Sequence, residues 1–389
     1  MTIDEQAKWL TDLDTLISLR LNLDDFDKIP ERFRDYSIDS GRVTFKVEGE
    51  FEVDLTIADE DFEKQFWFID FRFAYTPAAQ TLTDNMRKYL DLYANDALSR
   101  GLNDCYQFLH EFVLTAKINE LKRQAFQLSK GVWTNQLMIE PLKRALAIQY
   151  WTGRSQANGA KSWVLIAVDS GRKKGAKEED NASATSRLCV KWYRDNKEVT
   201  NAAIPFDTSK LSTELLLKAV VGRHVGFLLR SIYDKLKETA RFQKREAAMA
   251  LHISETNPSA SSLKVQVGHS TWVTLMVELA TGLFALKPHS KFSAPYEHQL
   301  NAGKSPIEDG VRCLEQIRCV MTEDELSRRG SPMGWLVKPS PLKNDELRTM
   351  PKARDATRTI WLRRDGWPSS WFIAVFLGMR GDEWWLLEA

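Results

Sequence analysis

Gly303-Lys304-Ser305 has the residue types of a phosphate-binding loop, in which backbone N–H groups and a lysine cradle an anion. That loop needs a second glycine five residues earlier, and the position holds His298. Residues 290–301 also lack the pattern of a strand leading in, so the tripeptide reads as a loop running into a helix. His110-Glu111 opens like a zinc-protease helix, but Leu114 stands where the second histidine belongs. His110 therefore reads as a helix-face or buried hydrogen-bonding histidine. Gly268-His269-Ser270-Thr271 starts like a nucleophile elbow, yet Trp272 replaces the closing glycine, and a hairpin turn is the better account. Asp59-Glu60-Asp61 lacks the regular oxygen-ligand spacing of a calcium loop and reads as a solvated turn between strands. Cys105, Cys189, Cys313 and Cys319 form no C-x-x-C pair, and Cys313 and Cys319 are too far apart for one zinc knuckle. They read as reduced thiols. No catalytic, cofactor-binding or metal-binding residue is assigned, and a non-enzyme is expected.

What remains is apolar and charged surface. Trp361, Trp367, Trp371, Trp384 and Trp385 crowd the end of the chain. Their first reading is core packing against chain beyond Ala389, and their second is a docking patch for another protein. Net charge is +1, which gives no overall attraction for a polyanion. The balance is uneven, with 19 Asp/Glu against 8 Lys/Arg in residues 1–70 and 10 Lys/Arg against 3 Asp/Glu in residues 328–364. Solvated faces explain this most simply, and two electrostatically distinct docking surfaces are the functional alternative. The basic stretch lacks interleaved aromatics at its densest part, so direct nucleic-acid binding is not expected. No run of about 18 apolar residues exists, so no membrane span is expected. The acidic, amphipathic N-terminus is not a signal peptide.

The elements that carry these residues follow from hydrophobic period. Val43, Phe45 and Val47, then Phe51, Val53, Leu55 and Ile57, alternate with polar residues on either side of Glu48-Gly49. That is an antiparallel hairpin with one apolar face. Trp67, Ile69, Phe71 and Phe73 are expected to share the same face of a third strand. A helix over Asn85–Ser99 and a long one carrying Leu114, Ile118, Leu121, Ala125 and Leu128 on one stripe supply the lid. Ile3–Leu23 reads as an amphipathic helix, and residues 31–40 as a polar connector. Downstream, strands are expected from about Arg144 to Trp151, at 163–168 and at 188–193, with a mobile loop at 170–186. A helix over 212–244 should bury Leu215, Ala219, Gly222, Val225, Leu229, Ile232, Leu236, Thr239 and Phe242. Strands at 250–253, 263–267 and 272–279, a helix at 307–321, and strands at 358–362, 371–377 and 383–387 complete the series.

The expected fold class is therefore α+β. Small units of about three antiparallel strands, each covered by one or two helices, follow an N-terminal helix. The expected division is 1–30 for that helix, then units at 41–131, 132–244 and 245–330, and a truncated fourth from 331 to 389. The end of the sequence in Trp384-Trp385-Leu386-Leu387 suggests a fragment of a longer polypeptide.

The runs GRVTFKVEGEFEVDLTIADED, QFWFIDFRF and CYQFLHEFVLTAKINELKRQAFQL, with LAIQYW further on, closely resemble the Mediator complex subunit fourteen family. The match covers Leu16 to Trp151, and no further motif is familiar beyond it. The resemblance implies a nuclear scaffold subunit of the transcriptional co-activator, joining head, middle and tail modules and contacting the RNA polymerase II machinery. Other Mediator subunits would be its partners, with no cofactor and no chemistry of its own. The alternative is a stand-alone protein-binding adaptor of repeated α+β units outside transcription.

Overall fold

The computed structural model describes residues 2–78, 82–154, 159–171, 185–200, 202–342 and 356–388. Helix α1 (Ile3–Leu19) begins in a reciprocal cap. The Thr2 hydroxyl accepts from the Glu5 amide, and the Glu5 carboxylate accepts from the Thr2 amide at 2.7 Å. A π-helical turn, Arg20–Asp24, continues it. Ile17 and Leu21 are buried, whereas Trp9 and Leu10 face solvent.

The first sheet is a four-stranded antiparallel meander of β1 (Tyr36–Asp39), β2 (Arg42–Val47), β3 (Phe51–Thr56) and β4 (Trp67–Phe73). Its inner face holds Val43, Phe45, Phe51, Val53 and Leu55, all fully buried, as the period demanded. Gly49 turns the β2–β3 hairpin at φ 68°, and a Cβ there would sit 3.1 Å from Ser209. Two expectations fail here. The connector at 31–40 contains β1, which pairs Ile38 with Val43 and Tyr36 with Phe45. A register shift between Asp54 and Leu55 also breaks the alternation of β4. Phe68 then opposes Leu55 and Phe71 opposes Val53, while Trp67 and Ile69 are left half exposed. Helices α2 (Asp84–Leu98) and α3 (Leu102–Ser129) cover the apolar face, and the Thr83 hydroxyl caps α2.

The second sheet runs β5 (Leu137–Leu142), β6 (Ala145–Tyr150), β7 (Ser162–Asp169), β8 (Arg187–Arg194) and β9 (Lys197–Glu198). Its first hairpin turns at Arg144, at φ 57°, so the strand expected from 144 is preceded by another. The loop expected at 170–186 lies outside the described residues between 172 and 184. Helix α4 (Thr213–Lys237) follows. The third sheet runs β10 (Met249–His252), β11 (Ser262–Gln266), β12 (Trp272–Val277) and β13 (Phe284–Lys287). A helix not foreseen, α5 (Ala294–Ala302), lies along its edge. Asn301 there both accepts from the Phe284 amide at 2.8 Å and donates to the Phe284 carbonyl at 2.9 Å. The Glu297 carboxylate accepts from the Leu286 amide at 2.8 Å. Helix α6 (Pro306–Gly330) leads to the fourth sheet, β14 (Trp335–Lys338), β15 (Arg358–Arg364), β16 (Trp371–Leu377) and β17 (Glu383–Glu388). The architecture is α+β, as expected, with four or five strands per sheet in place of three.

One continuous apolar core joins the first three sheets through α3, α4 and the first half of α6. Helix α4 is packed from several sides, by α3, α6 and the third sheet, so its buried arc is wider than a single stripe and is rotated at its start. Leu215 is 67% exposed, and Leu216, Leu217, Val220 and Val221 are buried in its stead. From Val225 onward the expected stripe holds, through Leu229, Ile232 and Leu236. Thr239 and Phe242 lie past the helix end. Where α6 crosses α4, a Cβ on Gly310 would lie 2.6 Å from Ile232 Cδ1. Gly310→Ala is expected to cost about 1–3 kcal/mol by overpacking, against the helix propensity that alanine adds. Chemical denaturation would read this, and an alanine variant more stable than wild type would show that the crossing can relax.

Candidate interaction surfaces

His110, on α3, is buried and bridges three segments. Its Nδ1 is 2.6 Å from the Glu50 carboxylate and its Nε2 is 2.7 Å from the Ser186 carbonyl. Both partners are acceptors, so both ring nitrogens donate and the ring is an imidazolium. Burial opposes the charge, but the Glu50 and Ser186 bonds outweigh it and raise the pKa above the usual value. A raised folded-state pKa stabilises fully below about pH 6.5, the unfolded value, and the contribution disappears as pH rises through the folded value. His110→Gln should therefore cost about 1.5–3 kcal/mol at low pH and flatten the decline of stability on the alkaline side. Denaturation midpoints across that range test this. An unchanged pH profile would mean the ring is neutral.

The other motifs are local. Gly268–Thr271 is a hairpin turn closed by Val267 and Gly268 amides donating to the Thr271 carbonyl, with Ser270 exposed. Asp59 pairs with Lys64 and accepts from the Asp61 amide. Cys105, Cys313 and Cys319 are buried free thiols, and burial pushes each up to about 12. No cluster of three or more His, Cys, Asp or Glu among the described residues is placed to hold a metal. No helix among them is long and apolar enough to cross a membrane. Lys304 and Ser305 lead into α6, as expected, and also line a cavity with Arg154 and His224.

Three polar residues, two of them buried and Arg154 half-buried, escaped the sequence reading. Lys117 donates to the Gly49 carbonyl at 2.8 Å and lies 5.3 Å over the Tyr75 ring, and burial lowers its pKa. Its place between Val113 and Leu121, four residues from each on a buried stripe, was the available signal. Arg154 and His224 offered none, because the cavity they line forms from segments distant in sequence.

The apolar surface is most pronounced on the fourth sheet, which has two apolar faces. Ile360, Leu362, Val375 and Leu377 pack on Cys319 and Leu326 of α6. Trp361, Phe372, Ala374 and Phe376 turn to the opposite face, beside Leu342, Ala356 and Leu387. The tryptophans expected to act together thus divide. Trp361 is buried at 3% exposure, Trp367 lies edge-on to Trp335 at 5.1 Å, and Trp385 lies edge-on to Phe376 at 5.9 Å. Trp384 is 56% exposed on the outer strand β17, where it lines an apolar groove of about 310 Å³ with Leu326, Met333 and Trp335. A second exposed aromatic group stands on α2, where the Tyr89 and Tyr93 rings lie 4.6 Å apart beside exposed Leu92. The acidic N-terminal stretch is partly paired within the fold. Asp54 is buried beneath a bidentate Arg72, and Asp25 pairs with Arg20 and Lys28. Residues 343–355 of the basic stretch, with four of its ten Lys/Arg, lie outside the described residues.

Exposed aromatic surface of this kind is what proteins bury on association. A family described as Mediator complex subunit MED14 matches residues 1–59, and one described as the Fungal Med14 domain matches residues 232–326. The second match lies beyond Trp151, where the sequence offered no familiar motif. Curated relatives named Mediator of RNA polymerase II transcription subunit 14 align over the whole chain. The one from Pyricularia oryzae is 45% identical over 393 residues, and 35% of its own length is covered. The relative from Neurospora crassa is 40% identical with 31% covered, and the one from Chaetomium globosum is 38% identical with 33% covered. The chain spans about a third of the length of these relatives. On the two family matches and an alignment that runs over all of this chain, this chain belongs to the Mediator subunit 14 family.

Proposed function

We propose that this chain is a non-enzymatic scaffold segment of the Mediator co-activator, acting in the nucleus. It would bridge Mediator modules and relay regulatory signals to RNA polymerase II by binding alone. Its partners would be subunits of the head and middle modules, with the tail, and the polymerase machinery. The observation that carries this reading is the exposure of Trp384 and Trp385 on the outer strand of a sheet apolar on both faces, in a chain whose relatives are named as Mediator subunits. Exposed aromatics of this size supply association energy. We further propose the divisions at 41–131, 132–244, 245–330 and 331–389 as the units that offer separate faces.

The test is affinity purification of the tagged chain from nuclear extract of its source, with bound proteins identified by mass spectrometry. Stable recovery of head and middle subunits is expected. Trp384→Ser with Tyr93→Ser should reduce that recovery by about tenfold or more while leaving the melting temperature nearly unchanged, since both side chains are exposed. Recovery of no Mediator subunit by a folded, monodisperse chain would defeat the reading for this segment.

A further inference from the structure

A cavity of about 290 Å³ opens between the edge of the second sheet, helix α4 and the start of α6. Tyr150, Arg154, His224, Leu228, Lys304 and Ser305 are among the residues that line it. Its chemistry follows from a chain of hydrogen bonds. The indole of Trp192 donates to the Tyr150 hydroxyl at 2.9 Å, and an indole N–H can only donate. The Tyr150 oxygen accepts that bond, so its own hydrogen is free for His224 Nδ1, 3.0 Å away. Nδ1 is therefore the accepting nitrogen, and the neutral ring carries its hydrogen on Nε2. Burial, with Arg154 and Arg194 nearby, drives the His224 pKa well below the usual value, which keeps the ring neutral.

The Nε2 hydrogen has no acceptor among the described residues. Gln136 Oε1 is the only fully buried side-chain polar atom there without a partner, so Nε2 keeps contact with open space. His224 is 3% exposed, and the open space beside it is this cavity. Arg154 is in a similar position. Its guanidinium donates to the Gly282 carbonyl at 2.5 Å and lies 5.1 Å over the Phe284 ring. No carboxylate among the described residues is in salt-bridge contact with it, and Asp195, on the cavity wall, acts only at longer range. Burial lowers its pKa to about 10, so it still carries its charge at neutral pH with most of its five N–H donors unused. Lys304, exposed, also lines the cavity, just ahead of helix α6, whose start is already capped by Asp309 accepting from the Ser305 amide at 2.9 Å. Of the two acids on the wall, Glu308 is paired with Lys235, and Asp195 acts on Arg154 only at longer range, without a salt bridge to it.

We infer that this cavity is a recognition site for a phosphomonoester. A tetrahedral dianion presents several acceptor oxygens at once, enough for the Arg154 fork, the His224 Nε2 hydrogen and Lys304 together. A flat carboxylate presents two. Leu228, Trp151 and Ile307 form an apolar wall for the carbon body that bears the phosphate. The phosphate belongs either to a small metabolite or to a phosphorylated side chain of another protein, and the cavity chemistry is the same for both. This inference is independent of the Mediator reading.

Calorimetric titration of the whole chain with inorganic phosphate, free O-phosphoserine, a phosphoserine peptide and acetate tests it. Saturable binding of the phosphate probes is expected, with acetate weaker by about tenfold or more. A peptide that binds more tightly than free phosphoserine identifies a protein ligand, and equal binding of the small probes identifies a metabolite. Arg154→Met should weaken binding by about tenfold or more. Arg154 also packs, so Lys304→Gln serves as the second variant. Lys304 is exposed, and its loss should weaken binding several-fold with unchanged melting. In the wild-type chain, the His224 Nε2 hydrogen should move in the NMR spectrum on titration. No saturable binding of any phosphate probe, acetate binding as tight as phosphate, or affinities untouched by both substitutions would overturn the inference.

Discussion

Phe45→Asp is expected to unfold the first sheet. Phe45 is fully buried, stacked on Phe33 at 4.6 Å and in contact with Tyr36 at 5.7 Å. It stands opposite Tyr36 on β1 and Val53 on β3, so its loss affects both strand pairings at once. Removing a buried phenyl ring costs about 3–5 kcal/mol. No cation among the described residues lies over the Phe45 ring, so a carboxylate in its place adds several kcal/mol more unless it takes up a proton. The sum rivals the whole stability of an ordinary domain, about 5–15 kcal/mol. Hydrogen exchange by mass spectrometry should show protection lost across residues 36–73 and from α3. Melting like that of wild type would mean that the facing of β2 is wrong.

Arg318→Ala should produce the second largest loss, confined to the other end of the chain. Arg318 is 4% exposed on α6. Its guanidinium donates to both Asp382 oxygens, at 2.8 and 2.9 Å, and through Nε to Glu315 at 2.9 Å. Asp382 lies in the turn before β17, so this side chain, together with the Arg358–Glu323 pair, ties the fourth sheet to its helix. Breaking a buried pair by deleting one partner costs about 3–5 kcal/mol, because the carboxylates left behind lose their compensation. Asp382 is partly exposed and water recovers some of its share, so the lower half of that range is expected. The triple variant Arg318→Met, Glu315→Gln, Asp382→Asn should recover much of the loss, since it strands no charge. Exchange protection should fall first over residues 358–388. A uniform drop over the whole chain, or none, would contradict the assignment of Arg318 as a local tie.

The sequence was legible wherever a strand had neighbours on both sides. β2, β3, β6, β7, β8, β11, β12, β15 and β16 are interior strands, and period two or a dense apolar run revealed each. The strands that escaped, β1, β5, β9, β13 and β14, all lie at sheet edges. An edge strand has one hydrogen-bonding partner and is often short and mixed in composition, so its local signal is weak. Ser37 and Asp39 on β1, or the two residues Lys197-Glu198 of β9, carry no recognisable pattern. The bulge between Asp54 and Leu55 was invisible for another reason. It depends on how two strands meet, and no residue in β4 announces it. The surfaces show the same division. The aromatic crowding near the C-terminus was readable, but not which ring faces inward. The cavity of Arg154 and His224 needed Trp151, Asp195 and Ser305 brought together from three separate regions.

Helix α6 belongs to two cores. Val311, Leu314 and Ile317 in its first half lie in the core shared by three sheets, while Cys319 and Leu326 in its second half belong to the fourth. Twenty-five helical residues at about 1.5 Å each make a rod of roughly 37 Å. Such a rod is a lever. A small tilt where it crosses Gly310 and Ile232 is magnified at its far end, where the fourth sheet is mounted. Load applied to that sheet is returned, with the same mechanical advantage, to the α4 crossing and to the cavity at the rod's near end.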